Sequence, residues 1–277
     1  MSPLVPSRRA ALAAVALAAV AACRPPEAPR PVRPALPSSG ADVVARMHAR
    51  WQGSWWRTLA FTQQNTRWTR DDREDTSTWL EWMQLPGKLR IEFLPAPRTG
   101  GPAGVPVPDA GALYLDGTVT SIVGGRAQPA QPQPNVLLLL TADVYAQPVA
   151  ETVKQLTTLG IDLTAVRRDT FESRPVWVVG AARGDLRAPQ FWVDEERWIA
   201  LRVVDRAPAP RPGQPGQPPT EFQLRDVREV AGTLVAHEIL FLREGRRFFR
   251  ERYTTVRANE ALSPALFDPG QWKTARR

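Results

Sequence analysis

The chain is short of the residues from which most enzymes and metalloproteins build their sites. A single cysteine, Cys23, stands in 277 residues. No disulfide can close within the chain, so the fold rests on its core alone. The two histidines, His48 and His237, are far apart in sequence, and no cysteine or histidine pair has metal-ligand spacing. The Gly-x-Ser-x-Gly pattern of a nucleophile elbow is missing. The glycines of "LDGTVTSIVGGR" lack phosphate-loop spacing and do not open a helix. His237 and Glu238 are neighbours in a strand pattern and point to opposite faces, so they cannot share a site directly. The carboxylates of "DDREDT" read as a solvated turn. No catalytic residue, metal or cofactor is expected, and the chain does not read as an enzyme.

Lysine is also scarce: Lys88, Lys154 and Lys273 are the only ones among 36 basic residues, and the net charge is +8. Attraction to anionic lipid or nucleic acid is one reading of that charge. Arginine codons in a GC-rich genome are the other, and the better one. The densest basic run, "REGRRFFRER", alternates with acids and aromatics, and nucleic acid is not expected as a partner. No apolar run reaches 18 residues, so no transmembrane helix is expected.

What is present begins at the N-terminus. Arg8 and Arg9 precede an apolar run, Ala10 to Ala22, of the length of a signal-peptide core and too short to span a bilayer. The run ends Val20-Ala21-Ala22-Cys23, which resembles the bacterial lipoprotein signal. That resemblance implies cleavage before Cys23 and lipidation of its sulfur. An ordinary secretory signal that leaves a free thiol is the alternative. The lipoprotein reading is favoured because it gives an otherwise purposeless reactive thiol a use. Residues 1–22 are thus expected to be a lipoprotein signal peptide. Residues 23–40 would be the lipidated cysteine and a proline-rich stalk, extended at ~3.1 Å per residue.

Residues 41–277 carry the pattern of a folded domain. "ADVVARMHARW" spaces Val43, Val44, Met47 and Trp51 for a helix capped by Ser39 or Asp42. Strand alternation follows, with turns at Leu85-Pro86-Gly87, Asp116-Gly117 and Glu195-Glu196. "VLLLLTADVY" and "PVAETVKQLTTLG" read as two short helices broken near Gln147-Pro148. Strands then resume to the C-terminus. Proline-rich insertions fall at 95–110, 127–135 and 207–219. No strand-helix-strand rhythm appears, so the sheet should be antiparallel. Aromatic residues occupy both faces of the strands: Trp79 opposite Trp82, and Phe191 opposite Trp192. A plain packed β core and a curved sheet with a cavity fit this equally well.

The order of these motifs is familiar. A helix precedes "LAFTQQNTRW", then come "WLEWMQLPGKLRIEF", the Asp-Gly hairpin "ALYLDGTVTSIV", a helical pair, further strands and a closing "LSPALFDP". This resembles the LolA/LolB-like carriers and receptors of outer-membrane lipoprotein sorting, over Asp42 to Pro269. The resemblance implies a mainly β (α+β) fold: a strongly curved, incomplete antiparallel β-barrel of about eleven strands closed by two or three short helices. It also implies binding of acyl chains of lipids or lipoproteins in a concave apolar interior. Candidate lining residues are Trp79, Met83, Ile91, Phe93, Leu113, Leu115, Phe191, Ile199, Leu201 and Phe241. Arg90 falls near a basic residue that the family links to lid closure. The anchor points to the receptor-like branch, on the periplasmic side of the cell envelope, with a periplasmic carrier or another envelope protein as a possible partner. Arg24 after Cys23 favours the outer over the inner membrane. An envelope-stress sensor of related fold, or a structural lipoprotein with a filled core, is the alternative.

Overall fold

The computed structural model describes residues 35–95, 108–207 and 216–275. The expected signal peptide, Cys23 and most of the stalk lie outside the described residues, as do the centres of two of the insertions.

Helix α1 (Gly40–Trp51) starts where its caps dictate. The Ser39 hydroxyl accepts from Asp42 N, and the Asp42 carboxylate accepts from Ser39 N, a reciprocal capping box. Val43, Val44, Met47 and Trp51 form its buried stripe. Gly40 begins it because a Cβ there would lie 2.6 Å from Val179. Helix α2 (Val136–Thr141) is capped by the Asn135 side chain and runs into a 3-10 turn at Asp143–Tyr145. Helix α3 (Val149–Thr158) follows Pro148, and Gly160 takes a positive φ just past its end.

The fourteen strands of the described residues join one antiparallel sheet. The N-terminal half is a meander of β1 (Thr58–Trp68), β2 (Glu74–Gln84), β3 (Lys88–Phe93), β4 (Gly111–Leu115) and β5 (Thr118–Val123). Two short strands, β6 (Arg126–Ala127) and β7 (Gln131–Pro132), pair with β5. The C-terminal half comprises β8 (Val166–Phe171), β9 (Arg174–Val179), β10 (Gln190–Asp194) and β11 (Ala200–Asp205). It continues through β12 (Thr220–Val230), β13 (Thr233–Arg243) and β14 (Arg246–Ala258). The halves are joined where β1 pairs with β14, from Leu59↔Ala258 to Arg67↔Phe249. No ladder among the described residues joins the β6 edge to β8, so the curved sheet stays open. The strand count exceeds the expected eleven chiefly because the 127–135 segment pairs with β5 as β6 and β7.

Alternation gives the sheet two distinct faces. The inner face carries Leu59 and Phe61 of β1, Met83 of β2, Leu89 of β3 and Ile239 of β13, and it packs with the helices into the main core. The outer face of β1–β5 is covered by the C-terminal segment. There Leu266 and Phe267 pack on Ala60 and Trp82, and Trp272 packs on Leu113 and Ile122.

Candidate ligand-binding site

An apolar crevice lies on the inner face, walled by Trp55, Trp56, Leu59, Met83, Tyr145 and Ile239, and reaching Tyr253. Trp55 and Trp56 sit in the turn between α1 and β1, where no strand alternation constrains them, so both rings can turn to the same side. The Trp55 ring lies 3.9 Å from Tyr145 and 5.2 Å from Trp51. The Tyr145 hydroxyl donates to the carbonyl of Trp198 at 3.3 Å. These contacts hold the helices down on the sheet. The cavity volume in the crevice is about 50 Å³, room for only a few waters at ~10–15 Å³ each. The indole N–H groups of Trp55 and Trp56 are buried here and have no acceptor. A buried donor without a partner costs about 1–3 kcal/mol, so these are groups awaiting one.

Next along the inner face comes a polar row. Gln63 and Asn65 of β1 stand between Glu81 of β2 and Glu251 of β14; Phe61 faces Glu81 across the ladder and Asn65 faces Glu251. All four are buried: Gln63 is 1%, Asn65 3%, Glu81 4% and Glu251 9% exposed. The Tyr253 hydroxyl donates to Glu251 at 3.0 Å, and the Gln63 amide donates to Asn65 Oδ1 at 2.7 Å. The Glu81 carboxyl makes no hydrogen bond among the described residues. Burial, and then the charge of Glu251, push the Glu81 carboxyl well above its ordinary range. Burial pushes Glu251 up to about 7, against the pull of Tyr253 and Gln63. Beyond this row lies an aromatic band in which Trp79 is 4.8 Å from Phe93 and 5.9 Å from Phe249, and Phe241 is 5.1 Å from Phe249.

A second cavity, about 510 Å³, opens between the β-turns at Gly87 and Asp116 and the helices, lined also by Tyr114, Asn135 and Asp143. Asp143 accepts from Gly87 N at 2.9 Å, and burial raises its carboxyl to about 6. Among the described residues no three acidic, cysteine or histidine side chains gather as a metal site. His48 Nδ1 sits 3.1 Å from the Val144 carbonyl, and His237 Nδ1 3.0 Å from that of Val235.

The expected lining residues divide. Met83 and Ile199 line the crevice. Trp79, Phe93 and Phe241 form the aromatic band, and Ile91 lies between band and crevice, opposite Glu81. Phe191 and Leu201 share the inner face near β10–β11 but are part of the core, Phe191 fully buried. Leu113 and Leu115 are on the outer face instead, because Ala112 and Tyr114 take the inner positions of β4. Arg90 is also on the outer face, and it clasps the C-terminal segment rather than a lid over the interior. It pairs with Glu92 at 2.7 Å and donates to the carbonyls of Leu266 (2.9 Å) and Trp272 (2.8 Å). The Trp272 ring lies 3.8 Å from its guanidinium. Trp55, Trp56, Tyr145 and Tyr253 are not among the expected wall residues; turn and helix aromatics carry no alternation that would mark them.

No family model matches the sequence, and no curated protein matches it. Solved structures do match in shape. An outer membrane lipoprotein-sorting protein domain from Vibrio parahaemolyticus superposes with a TM-score of 0.54 at 12% identity, over 84% of this chain and 98% of that one. A DUF1329 family protein from Desulfovibrio piger gives 0.49 at 12% identity, over 83% and 95%. A LolA superfamily protein from Nitrosomonas europaea gives 0.47 at 9% identity, over 82% and 97%. At 12% identity it is the fold alone, a large open antiparallel sheet with short helices, that is shared with the Vibrio domain.

Proposed function

We propose that this chain is a lipid-anchored protein of the bacterial envelope that takes up acyl chains of lipids or lipoproteins on the inner face of its sheet. The observation that carries this reading is the crevice itself. Its walls are aromatic and aliphatic, and the two unpaired indole N–H groups match the carbonyl oxygen of an ester or amide at the head of an acyl chain. Each methylene buried contributes about 0.8 kcal/mol, so a greasy site binds usefully without chemistry. Entry requires α1–α3 to part from the sheet, breaking the Trp55–Tyr145 contact. The fold shared with a lipoprotein-sorting domain supports the same reading. Protein released without its anchor, extracted with organic solvent, is expected to yield stoichiometric acyl species by mass spectrometry. A clean extract, with no uptake of a fluorescent fatty acid, overturns it.

Anchoring is assigned to Cys23, and the proline-rich residues between it and the Ser39 cap of α1 to a stalk between the lipid and the domain. Cells fed radiolabelled palmitate are expected to label the native protein and not Cys23→Ala. Equal labelling of both removes the anchor.

A further inference from the structure

The Glu81–Glu251 pair lies in the path of any ligand that fills the inner face. It follows the crevice directly, since Tyr253 lines the crevice and donates to Glu251. The aromatic band of Trp79, Phe93 and Phe249 lies on its other side. Two carboxyls buried on one face, on the strands either side of β1 and close enough to repel, are costly unless a positive charge accompanies them. Here none does: no arginine, lysine or histidine among the described residues acts on either group. Two other acids low in exposure are matched, whereas the buried Asp143 has only the Gly87 N–H. Glu92 has Arg90, and Glu221 has Arg202 at 2.7 Å.

A second, independent observation points the same way. Asn65 is 3% exposed and stands directly across the ladder from Glu251, on the same face. Its Oδ1 is taken by Gln63, and its Nδ2 has no acceptor. The row therefore offers two carboxylates for a cation and one amide donor for an oxygen beside it. A calcium ion stripped of water takes about six to eight oxygen ligands, more than the oxygens of two carboxylates. An organic ammonium needs few, and the neighbouring ring faces suit it.

We infer that the Glu81–Glu251 row, with Asn65 and Tyr253, binds the ammonium group of an amphiphile whose hydrocarbon tail occupies the adjoining crevice. This rests on the acyl-chain reading for the tail and adds the chemistry of the head. It makes the protein selective for aminolipids, meaning primary amines bearing a nearby hydroxyl or carbonyl oxygen, over fatty acids and neutral lipids.

The test compares dodecylamine, dodecanol and dodecanoate, which share a tail and differ in head, by titration calorimetry at pH 8, with the protein as titrant and each probe below its micelle or solubility limit. The amine is expected to bind roughly tenfold or more tightly than the alcohol, with the carboxylate weakest. Glu81→Gln and Glu251→Gln are near-isosteric and relieve buried charge, so both variants should fold. Each is expected to abolish the preference for the amine while dodecanol binds as before. Equal binding of amine and alcohol, or a preference that survives both substitutions, overturns the ammonium site and leaves the acyl-chain reading standing. A site that instead responds to calcium or magnesium alone also overturns it. If no twelve-carbon probe binds, the acyl-chain reading falls. The head site is then judged by butylamine alone: a rise in melting temperature lost in both variants supports it, and no rise refutes it.

Discussion

Ligand-free protein will lose stability as pH rises from about 5 to 8, and Glu251→Gln will remove part of that loss. Glu251 titrates near 7 in the folded chain against an ordinary 4.5, because burial disfavours its charged form. A carboxyl whose folded pKa is raised holds its proton more tightly in the native state. Its penalty is absent below the unfolded pKa and grows as pH climbs through the folded one. At 1.36 kcal/mol per unit, the shift corresponds to ~3 kcal/mol. In a domain of this size that is roughly 6–12 °C in melting temperature. Glu81 acts in the same direction, so the double variant Glu81→Gln/Glu251→Gln should be the more stable at pH 8. Asp143, raised to about 6, leaves a smaller slope of the same sign. Calorimetric scans across this range decide it. A native protein that gains stability from pH 5 to 8, or variants with the native slope, would show that the pair is not carrying buried charge.

Arg90→Ala is expected to cost about 3–5 kcal/mol, the usual consequence of stranding one member of a buried ion pair. Arg90 is fully buried, as is Glu92, and its side chain ties the Leu266 and Trp272 carbonyls to one strand. Its removal should free the C-terminal segment as well. Hydrogen exchange of residues 264–275 will rise, and so will their cleavage by protease. Arg90→Lys should rescue little. An ammonium has no planar fork to serve a carboxylate and two carbonyls while stacking on Trp272. Arg90→Met/Glu92→Leu should be less damaging than Arg90→Ala alone, because it leaves no orphaned charge. Binding on the inner face should be unchanged in all of these. A melting temperature within about 1 °C of native for Arg90→Ala would refute the clasp, given ~2–4 °C per kcal/mol.

Much of the fold is legible in the sequence, for identifiable reasons. The alternation of Leu89, Ile91 and Phe93 against Lys88, Arg90 and Glu92 places β3 and both its faces correctly. Ser39, Pro148 and Gly160 mark helix ends because caps act through adjacent backbone groups. The site is less legible. Leu113 and Leu115 have the chemistry of cavity walls, but parity alone does not say which face is inner. That depends on the C-terminal segment crossing to the outer side, a contact between residues far apart in sequence. The same gap misassigns Arg90, since nothing near "GKLRIEF" reveals Trp272 arriving over it. The acid pair does leave a trace in the chain. Glu81 shares the parity of Trp79 and Met83, and a charge at an apolar-facing position of a strand is the mark of a buried carboxyl.

The β1–β14 seam has a consequence for how the chain comes into being. The strand nearest the N-terminal helix finds its second partner only at Gln63↔Tyr253 and its neighbours, almost the whole length of the domain away. Synthesis runs from the N-terminus, so the far edge of β1 stays bare until the last long strand is delivered. Non-local pairings of this kind close slowly, and an unpaired hydrophobic edge recruits other chains while it waits. Assembly is therefore gated by the last strand, and truncations before Ala258 should yield aggregation rather than a smaller domain.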